Sequence, residues 1–281
     1  RRGETLGVVG ESGCGKSTTG LAVTGLLPRA LVRTGGTVRL GGQRLDDLGQ
    51  AALADVRGRR IAMIFQDPVA SLNPVRTIGA FLVSLLRRHR GLVGEAARSE
   101  AVRLLDGVGI PAARSRLGLY PHELSGGQNQ RVMIAGALAG EPDVLLADEP
   151  TTALDVTTQA QILDLLHDLG RARGMALVIV SHDFGVIAEA ADRVLVMYAG
   201  RVVEEAPVDA LFRAPRHPYT SALMASVPPE TGRAPLRPLM GQPPLAGAAA
   251  AAGCAFAPRC PIASRRCAEL PASTWSGGRR T

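Results

Sequence analysis

A glycine-rich stretch near the start of the sequence constrains the fold more than any other feature. GESGCGKST fits the pattern G-x-x-x-x-G-K-[ST] at Gly10, Gly15, Lys16 and Ser17. A short apolar run from Thr5 to Val9 precedes it, and a helical pattern follows. A strand, a glycine-rich loop and a helix in this order form a phosphate-binding loop. The glycines let backbone N–H groups turn towards a phosphate, and the helix N-terminus adds partial positive charge.

Lysine occurs once in the chain, at Lys16, while the other 31 basic residues are arginine. A lysine retained in such a sequence indicates a need for a compact ammonium group instead of a planar guanidinium. We predict that Lys16 binds the β- and γ-phosphates and that the Ser17 hydroxyl binds Mg²⁺. A chance glycine-rich turn is the alternative, and the strand, the helix and the single lysine together argue against it. The predicted nucleotide-binding set is Gly10, Glu11, Ser12, Gly13, Cys14, Gly15, Lys16, Ser17 and Thr18.

An acidic pair ends the second informative run, DVLLADEP, which spans Asp143 to Pro150. Its apolar centre is typical of a buried parallel strand, and open α/β sheets place their chemistry at the carboxyl ends of such strands. We predict that Asp148 holds Mg²⁺ through water and that Glu149 is the general base for an attacking water. Helix capping is the alternative role for an acidic pair at this position.

A mostly helical block from about residue 75 to residue 140 separates these two motifs, since apolar residues recur there at helical spacing. Near its end, Ser125 stands where a helix N-cap belongs, and Gly126 and Gly127 follow. Their backbone N–H groups are predicted to be bare. This second phosphate-binding helix start cannot fold back onto its own glycine-rich loop, so we expect it to serve the γ-phosphate of a nucleotide held by another subunit.

Six motifs in order carry a resemblance to the ATP-binding cassette (ABC) ATPases. They are GESGCGKST, IFQDP, LSGGQ, DVLLADEP, TALD and VSHD, and they span Arg1 to about Glu205. The resemblance implies an α/β fold of the P-loop NTPase class, with a mostly parallel core sheet, an inserted helical subdomain and a small C-terminal extension. It also implies ATP and Mg²⁺ as ligands, and two cassettes packed head to tail.

Further roles follow from this resemblance residue by residue. Gln66 matches the glutamine that contacts Mg²⁺ and the attacking water, and His182 matches the switch histidine at the γ-phosphate. Asp155 matches the acid that reaches across the dimer. Gln66 or His182 alone would be interpreted as a polar residue satisfied at a strand end. The signature that binds the partner's ATP is Leu124, Ser125, Gly126, Gly127 and Gln128.

Three segments resemble the ATP-binding subunits of bacterial oligopeptide, dipeptide and nickel importers. They are IFQDPVASLNP, RAPRHPYTSAL and GCAFAPRCPIASRRC. This resemblance implies peptide uptake through two membrane permease subunits that receive the residues after Gln66, with an external substrate-binding protein. The chain would lie peripherally at the cytoplasmic face of the inner membrane, beside an identical or a sister cassette. A nickel importer and a non-transport ABC ATPase acting on nucleic acid are the alternatives.

The C-terminal part carries two further features. The segment from Ala206 onwards contains nine arginines and only three acidic residues. This basic composition suits a solvated surface or binding to nucleic acid, acidic lipid or an acidic partner. We expect no nucleic acid. Cys254, Cys260 and Cys267 are predicted to hold a [4Fe–4S] cluster or zinc, although each normally takes four thiolates; three thiols in a small folded tail are the alternative.

The predicted layout has an ATPase domain over residues 1–205 and an importer-type extension over residues 206–281. The ATPase core comprises residues 1–74 and 141–205, and the helical subdomain comprises residues 75–140. An alanine-rich run from Leu245 is predicted to be a linker.

Overall fold

Short apolar runs form the strands and amphipathic runs form the helices of this chain. A computed structural model describes residues 1–67, 71–152, 154–226, 239–244, 253–269, 275–276 and 279–280. Residues 245–252 of the predicted linker and residues 68–70 of the importer-type segment lie outside this described part. The strands are β1 (Thr5–Val9), β2 (Arg39–Leu40), β3 (Gln43–Arg44), β4 (Ile61–Ile64), β5 (Val144–Asp148), β6 (Ala176–Val180), β7 (Arg193–Tyr198), β8 (Arg201–Pro207), β9 (Trp275–Ser276) and β10 (Arg279–Arg280).

The α-helices are α1 (Lys16–Thr24), α2 (Gln50–Val56), α3 (Ile78–Arg90), α4 (Gly94–Gly107), α5 (Ala113–Arg116), α6 (Gly126–Leu138), α7 (Val156–Arg173), α8 (Phe184–Ala190), α9 (Val208–Arg213) and α10 (Pro218–Ala225). Short 3₁₀ helices span Pro121–Glu123, Ala257–Arg259 and Arg265–Ala268. The predicted helix after the glycine-rich loop and the predicted mostly helical block from about residue 75 to residue 140 are therefore confirmed. The chain divides into a first unit, residues 1–4 and 20–178, and a second unit, residues 5–19 and 179–281.

In the first unit, β4 and β5 pair in parallel, with Ile61 opposite Val144 and Ile64 opposite Ala147. A cluster of buried apolar side chains supports this pair. Its members are Leu45, Leu53, Val56, Ile61 and Leu146. Burial of each such side chain contributes about 1.5–3 kcal/mol relative to exposure, so the cluster fixes the strands whose carboxyl ends carry the acidic pair and Gln66.

The helical part of the first unit packs α3, α4 and α6 against one another. Thr77 caps α3 by accepting a hydrogen bond from the Ala80 N–H, and Gly91 ends the helix in a left-handed conformation at φ 68°. Leu82, Leu86 and Leu105 are fully buried between these helices. This packing holds the start of α6, the helix predicted to bind a partner's nucleotide.

In the second unit, β1 pairs in parallel with β7, and β7 pairs antiparallel with β8. The C-terminal strand β10 continues the sheet by pairing antiparallel with β8 and β9. Helix α8 packs on β1, where Ile187 lies so close to Gly7 that no side chain would fit there. The predicted α/β fold with a mostly parallel core sheet is confirmed, while the predicted domain boundaries stay a prediction. Among the described helices, none is long and apolar enough to cross a membrane.

Candidate nucleotide-binding and hydrolysis site

The glycine-rich loop follows β1 directly and leads into α1, as the sequence predicts. Gly13 and Gly15 adopt φ of 79° and 99°, conformations that L-residues with side chains rarely take. Gly10 is needed for space instead, since a Cβ atom there would overlap the Met197 carbonyl oxygen. The loop is thus bent by two glycines and pressed against β7 at a third.

The Lys16 side chain lies inside this loop and is only 7% exposed. Its ammonium group donates to the Gly10 carbonyl at 2.7 Å and to the Glu11 carbonyl at 3.2 Å. A more distant contact reaches the Cys14 sulfur at 3.9 Å. An ammonium group has three N–H donors, so two orient Lys16 and the third is suited to a phosphate oxygen.

The loop also makes backbone contacts, one within itself and one to the turn between β7 and β8. The Cys14 N–H donates to the Glu11 carbonyl at 3.2 Å, and the Cys14 carbonyl accepts from the Gly200 N–H at 2.9 Å. The Cys14 thiol is buried, and this burial raises its pKa, which the nearby Lys16 charge only partly offsets. A thiol held neutral in this way is a poor nucleophile, in keeping with a packing role for this residue.

In the first unit, the structure brings Gln66 and Glu149 together. The Gln66 side-chain amide donates to Glu149 Oε2 at 3.0 Å, and the Thr152 hydroxyl donates to the same oxygen at 2.9 Å. Glu149 has φ of 49°, a left-handed conformation that is costly for a non-glycine residue and that concentrates at functional sites. Asp148 lies one residue earlier, at the end of β5, and is 6% exposed.

The predicted helix start at Ser125 is confirmed, with Ser125 as the N-cap of α6. The Ser125 hydroxyl accepts from the Gln128 N–H at 3.3 Å, and the Gln128 side-chain oxygen accepts from the Ser125 N–H at 3.1 Å. This capping box satisfies two backbone donors within the motif. Gly127 is required for packing, because a Cβ atom there would lie 2.8 Å from Thr158 Cγ2 of α7.

The two remaining predicted residues lie at element ends. Asp155 caps α7, since its carboxylate accepts from the Thr158 N–H at 3.0 Å and from the Thr158 hydroxyl at 2.7 Å. These hydrogen bonds lower the Asp155 pKa. His182 is exposed, two residues beyond the end of β6. Asp155 thus has a local capping role whether or not it also contacts a partner.

The three C-terminal cysteines do not form the predicted metal site in the described part of the chain. No group of three or more His, Cys, Asp or Glu side chains among those residues is arranged to hold a metal ion. The Cys267 sulfur instead accepts from the Ser264 N–H at 3.4 Å, and the Cys254 N–H donates to the Cys267 carbonyl at 2.8 Å. These contacts give the cysteines a structural role in a short folded tail, and the iron–sulfur prediction gains no support.

Three residues around the predicted set were not found from the sequence. Thr152 contacts Glu149, while Tyr219 and Arg259 both contact Glu11 of the glycine-rich loop. Thr152 lies three residues after Glu149, so local spacing could have indicated it. Tyr219 and Arg259 lie more than 200 residues from Glu11, and no local pattern indicates such a contact.

A glycine-rich loop between a parallel strand and a helix, with an acidic pair at the end of a second parallel strand, defines the class of phosphate-loop nucleotide-binding proteins. The sequence profile of the ABC transporter family matches residues 1–152, and that of the oligopeptide/dipeptide transporter C-terminal region matches residues 203–267. The chain belongs to the ABC transporter family.

Curated relatives and solved structures agree with this assignment. A putative peptide import ATP-binding protein of Brucella abortus is 53% identical over 225 residues, covering 80% of this chain and 68% of the relative. A probable peptide ABC transporter ATP-binding protein of Sinorhizobium fredii is 52% identical over 229 residues, covering 81% and 68%. A dimeric post-hydrolysis ATP-binding cassette bound to ADP and Pi is similar at 32% identity and a TM-score of 0.65, covering 74% of this chain and 87% of that chain.

Proposed function

We propose that this chain is the ATP-hydrolysing subunit of a bacterial importer for oligopeptides or dipeptides. The observation that carries the proposal is the presence, in one chain, of an ABC transporter match followed by an oligopeptide/dipeptide transporter C-terminal match. The relatives from Brucella abortus and Sinorhizobium fredii bear peptide import and peptide transport names, which supports the same substrate class. The nickel alternative has no comparable support.

The geometry of the first unit suits water activation. A general base needs a carboxylate within hydrogen-bond reach of the water that it polarises. Gln66 and Thr152 both donate to Glu149 Oε2, and these two hydrogen bonds orient the carboxylate that we propose as the base for the attacking water. The Gln66 amide contacts this carboxylate directly. We infer that Gln66 and His182 change their contacts when a γ-phosphate is bound.

The phosphate-binding residues suit ATP and Mg²⁺. The loop presents Lys16 with two of its N–H donors already used for orientation. Ser17, Gln66 and the buried Asp148 offer hydroxyl, amide and carboxylate oxygens, which are the ligand types that Mg²⁺ prefers. When bound, Mg²⁺ neutralises charge on the transferring phosphoryl group. Lys16 binds and orients the β- and γ-phosphates, and Glu149 takes up the proton of the attacking water.

The capped helix start at Leu124 to Gln128 is proposed to bind ATP held by a second cassette, identical or a sister protein. Its Ser125 is exposed and its first helical residues are glycines, so a phosphate group can approach the helix N-terminus closely. Similarity to a dimeric cassette that retains ADP and Pi supports this arrangement.

A groove in the first unit suits the permease partner. It is a cavity of about 390 Å³ lined by Leu26, Phe65, Phe81, Leu85, His89 and Met133, among others. Leu26 and Phe65 remain 39% and 38% exposed there, and apolar surface of this kind favours a protein partner. Phe65 directly precedes Gln66, so we propose that a permease segment seated in the groove acts on Gln66. The external substrate-binding protein would act through the permeases.

The first test is the solution mass of Glu149→Gln with and without Mg-ATP, measured by light scattering. This variant should keep ATP bound, lose hydrolysis and double in mass when ATP is added. Adding Ser125→Arg should abolish the doubling without abolishing ATP binding. No change in mass would contradict the identical dimer and leave the sister cassette as the partner.

The substrate is tested by uptake in cells that lack this subunit. Complementation with the wild-type subunit should restore uptake of labelled dipeptides and oligopeptides, and complementation with Glu149→Gln should not. Radioactive nickel uptake is the matched comparison. Restored nickel uptake without peptide uptake would overturn the peptide assignment.

A further inference from the structure

An arginine of the C-terminal extension is bound to the nucleotide-binding loop within the second unit. Arg259 ends the 3₁₀ helix Ala257–Arg259, and its side chain is 5% exposed. Its Nη1 donates to Glu11 Oε2 at 2.7 Å, and its Nη2 donates to Glu11 Oε1 at 3.0 Å. Two parallel charge-assisted hydrogen bonds of this kind are stronger and more directional than a simple ion pair.

The remaining donors of Arg259 are also used, so its guanidinium group is held in one orientation. Nε donates to the Met240 carbonyl at 2.8 Å, and Nη1 also reaches the Tyr198 hydroxyl at 3.3 Å. The guanidinium carbon lies 5.8 Å from the centre of the Tyr198 ring and 6.0 Å from that of Phe256. A guanidinium fixed in this way loses little further freedom when it binds a carboxylate.

A second contact from the extension involves the Glu11 backbone N–H. The Tyr219 hydroxyl accepts a hydrogen bond from the Glu11 N–H at 2.9 Å. Tyr219 is completely buried and packs against Tyr198 and Phe256, with ring centres 4.5 Å and 5.3 Å away. Burial raises the pKa of Tyr219 well above its usual range, so the hydroxyl stays neutral.

The position of Glu11 connects these contacts to Lys16. The Glu11 carbonyl is one of the two that orient the Lys16 ammonium group. Its carboxylate, its N–H and its carbonyl are therefore engaged by Arg259, Tyr219 and Lys16 respectively. Loss of the contacts with Arg259 and Tyr219 would free Glu11, whose carbonyl helps to position the Lys16 ammonium group.

We propose that the C-terminal extension organises the nucleotide-binding loop for ATP, with Arg259 and Tyr219 as positioning residues that act through Glu11. This inference rests on the proposed ATPase function. It assigns the extension a role in nucleotide affinity besides any role in the importer complex. Because the loop binds ATP before and during hydrolysis, its disorder weakens ground-state and transition-state binding alike. KM for ATP should then rise while kcat changes little.

The test compares ATP binding and steady-state hydrolysis in the full chain for Arg259→Lys, Arg259→Gln and Tyr219→Phe. We expect Kd and KM for ATP to rise about tenfold in Arg259→Gln, which corresponds to about 1.4 kcal/mol, with kcat within about twofold. Arg259→Lys keeps the charge but loses the paired hydrogen bonds, so it should show most of the same rise. Arg266→Ala is the matched control, since Arg266 is exposed on the next 3₁₀ helix.

A double variant separates positioning from general stability. Glu11→Gln combined with Arg259→Gln should raise KM no more than either single variant, because both remove the same contact. Tyr219→Phe keeps the buried ring and removes only the acceptor, so it provides a folded variant if Arg259→Gln does not fold. A lowered melting temperature with unchanged Kd and KM in Arg259→Lys and Tyr219→Phe would overturn the proposal. Failure of the wild-type chain to bind ATP would instead contradict the proposed function.

Discussion

The two glycine-rich helix starts of this protein are both proposed to bind phosphate but are stabilised in opposite ways. The start of α6 is closed locally, because Ser125 and Gln128 exchange two hydrogen bonds within four residues. The loop before α1 is held by distant parts of the second unit: the Gly200 N–H, the Tyr219 hydroxyl and the Arg259 guanidinium.

The difference shows that a glycine-rich helix N-terminus can be stabilised either within its own first turn or by distant residues. A locally capped start is stabilised within a single chain, which suits the proposed binding of a partner's nucleotide. A loop that wraps around phosphates has glycines in left-handed conformations, so it cannot be stabilised by its own helix alone. Long-range contacts from the β7–β8 turn and from the extension supply the missing stabilisation.

Lys16→Ala provides the largest expected effect and tests the loop side of the comparison. The variant removes the ammonium group that we propose binds the phosphates, so ATP hydrolysis should fall by about 10²–10³-fold. Lys16→Arg should fall nearly as far, because a planar guanidinium does not fit the two carbonyls that orient the ammonium. Steady-state phosphate release measures both, with circular dichroism to verify folding. Activity retained in Lys16→Ala would mean that the loop is not the phosphate site.

Gly10→Ala and Gly126→Ala form a matched pair between the two helix starts. In the loop, the added methyl group overlaps the Met197 carbonyl oxygen, and unfolding free energy should fall by about 3 kcal/mol. At Gly126, the added methyl group would lie 3.7 Å from Leu154 Cδ2, which is an ordinary contact. The unfolding free energy should therefore rise, by up to about 1 kcal/mol, because alanine favours the helix more than glycine does. Urea denaturation monitored by fluorescence or circular dichroism measures both. Equal losses would show that the two starts are equally constrained.

Ser125→Ala tests whether the capping box stabilises the signature locally. Loss of an N-cap hydroxyl should lower the unfolding free energy by about 1 kcal/mol, while Ser125→Thr should cost only a few tenths. ATP binding by the isolated chain should be unchanged, because the signature is proposed to serve a partner's nucleotide. Thermal denaturation and equilibrium binding of ATP provide the two measurements. Weaker ATP binding by the monomeric Ser125→Ala variant would contradict the proposed division of labour.

Local patterns in the sequence predicted much of this fold and site. The apolar runs at Thr5–Val9 and within DVLLADEP placed β1 and β5, since each run is short and apolar. The N-cap at Ser125 was predictable because its partners lie within three residues. The acidic pair was predictable as a strand end, and its contact with Gln66 follows from the parallel pairing of β4 and β5.

The extension was predicted least well, because its contacts join residues far apart in sequence. Its nine arginines suggested a solvated surface or a site for nucleic acid, acidic lipid or an acidic partner. Two of them instead bind carboxylates inside the second unit. Arg259 binds Glu11, and Arg279 of β10 donates to Glu204, a fully buried carboxylate of β8, at 2.8 Å. Net charge does not distinguish an arginine that pairs with a carboxylate 75 residues earlier from one that faces water.

His217 gives the smallest expected effect and tests whether the extension supports the loop in a pH-dependent way. It caps α10 through Nδ1, which accepts from the Tyr219 N–H at 3.1 Å and so must be unprotonated. Burial lowers the His217 pKa below its usual value of 6.5, and the nearby Glu204 opposes this only in part. The unfolded chain therefore binds a proton more readily, and stability should fall as pH falls below about 6.5 through the folded-state pKa.

Chemical denaturation at pH 8.0, 6.5 and 5.5 measures this dependence. His217→Asn should reduce the pH dependence, because asparagine can cap the helix without titrating. His122→Gln is the control beside the signature, and it should leave the pH dependence of the wild type intact. If the extension organises the loop, ATP affinity in the wild type should weaken over the same pH interval more than it does in His217→Asn. Identical pH profiles for the wild type and His217→Asn would instead mean that protonation of His217 does not affect the contact between Tyr219 and Glu11. Arg259 alone would then support the loop.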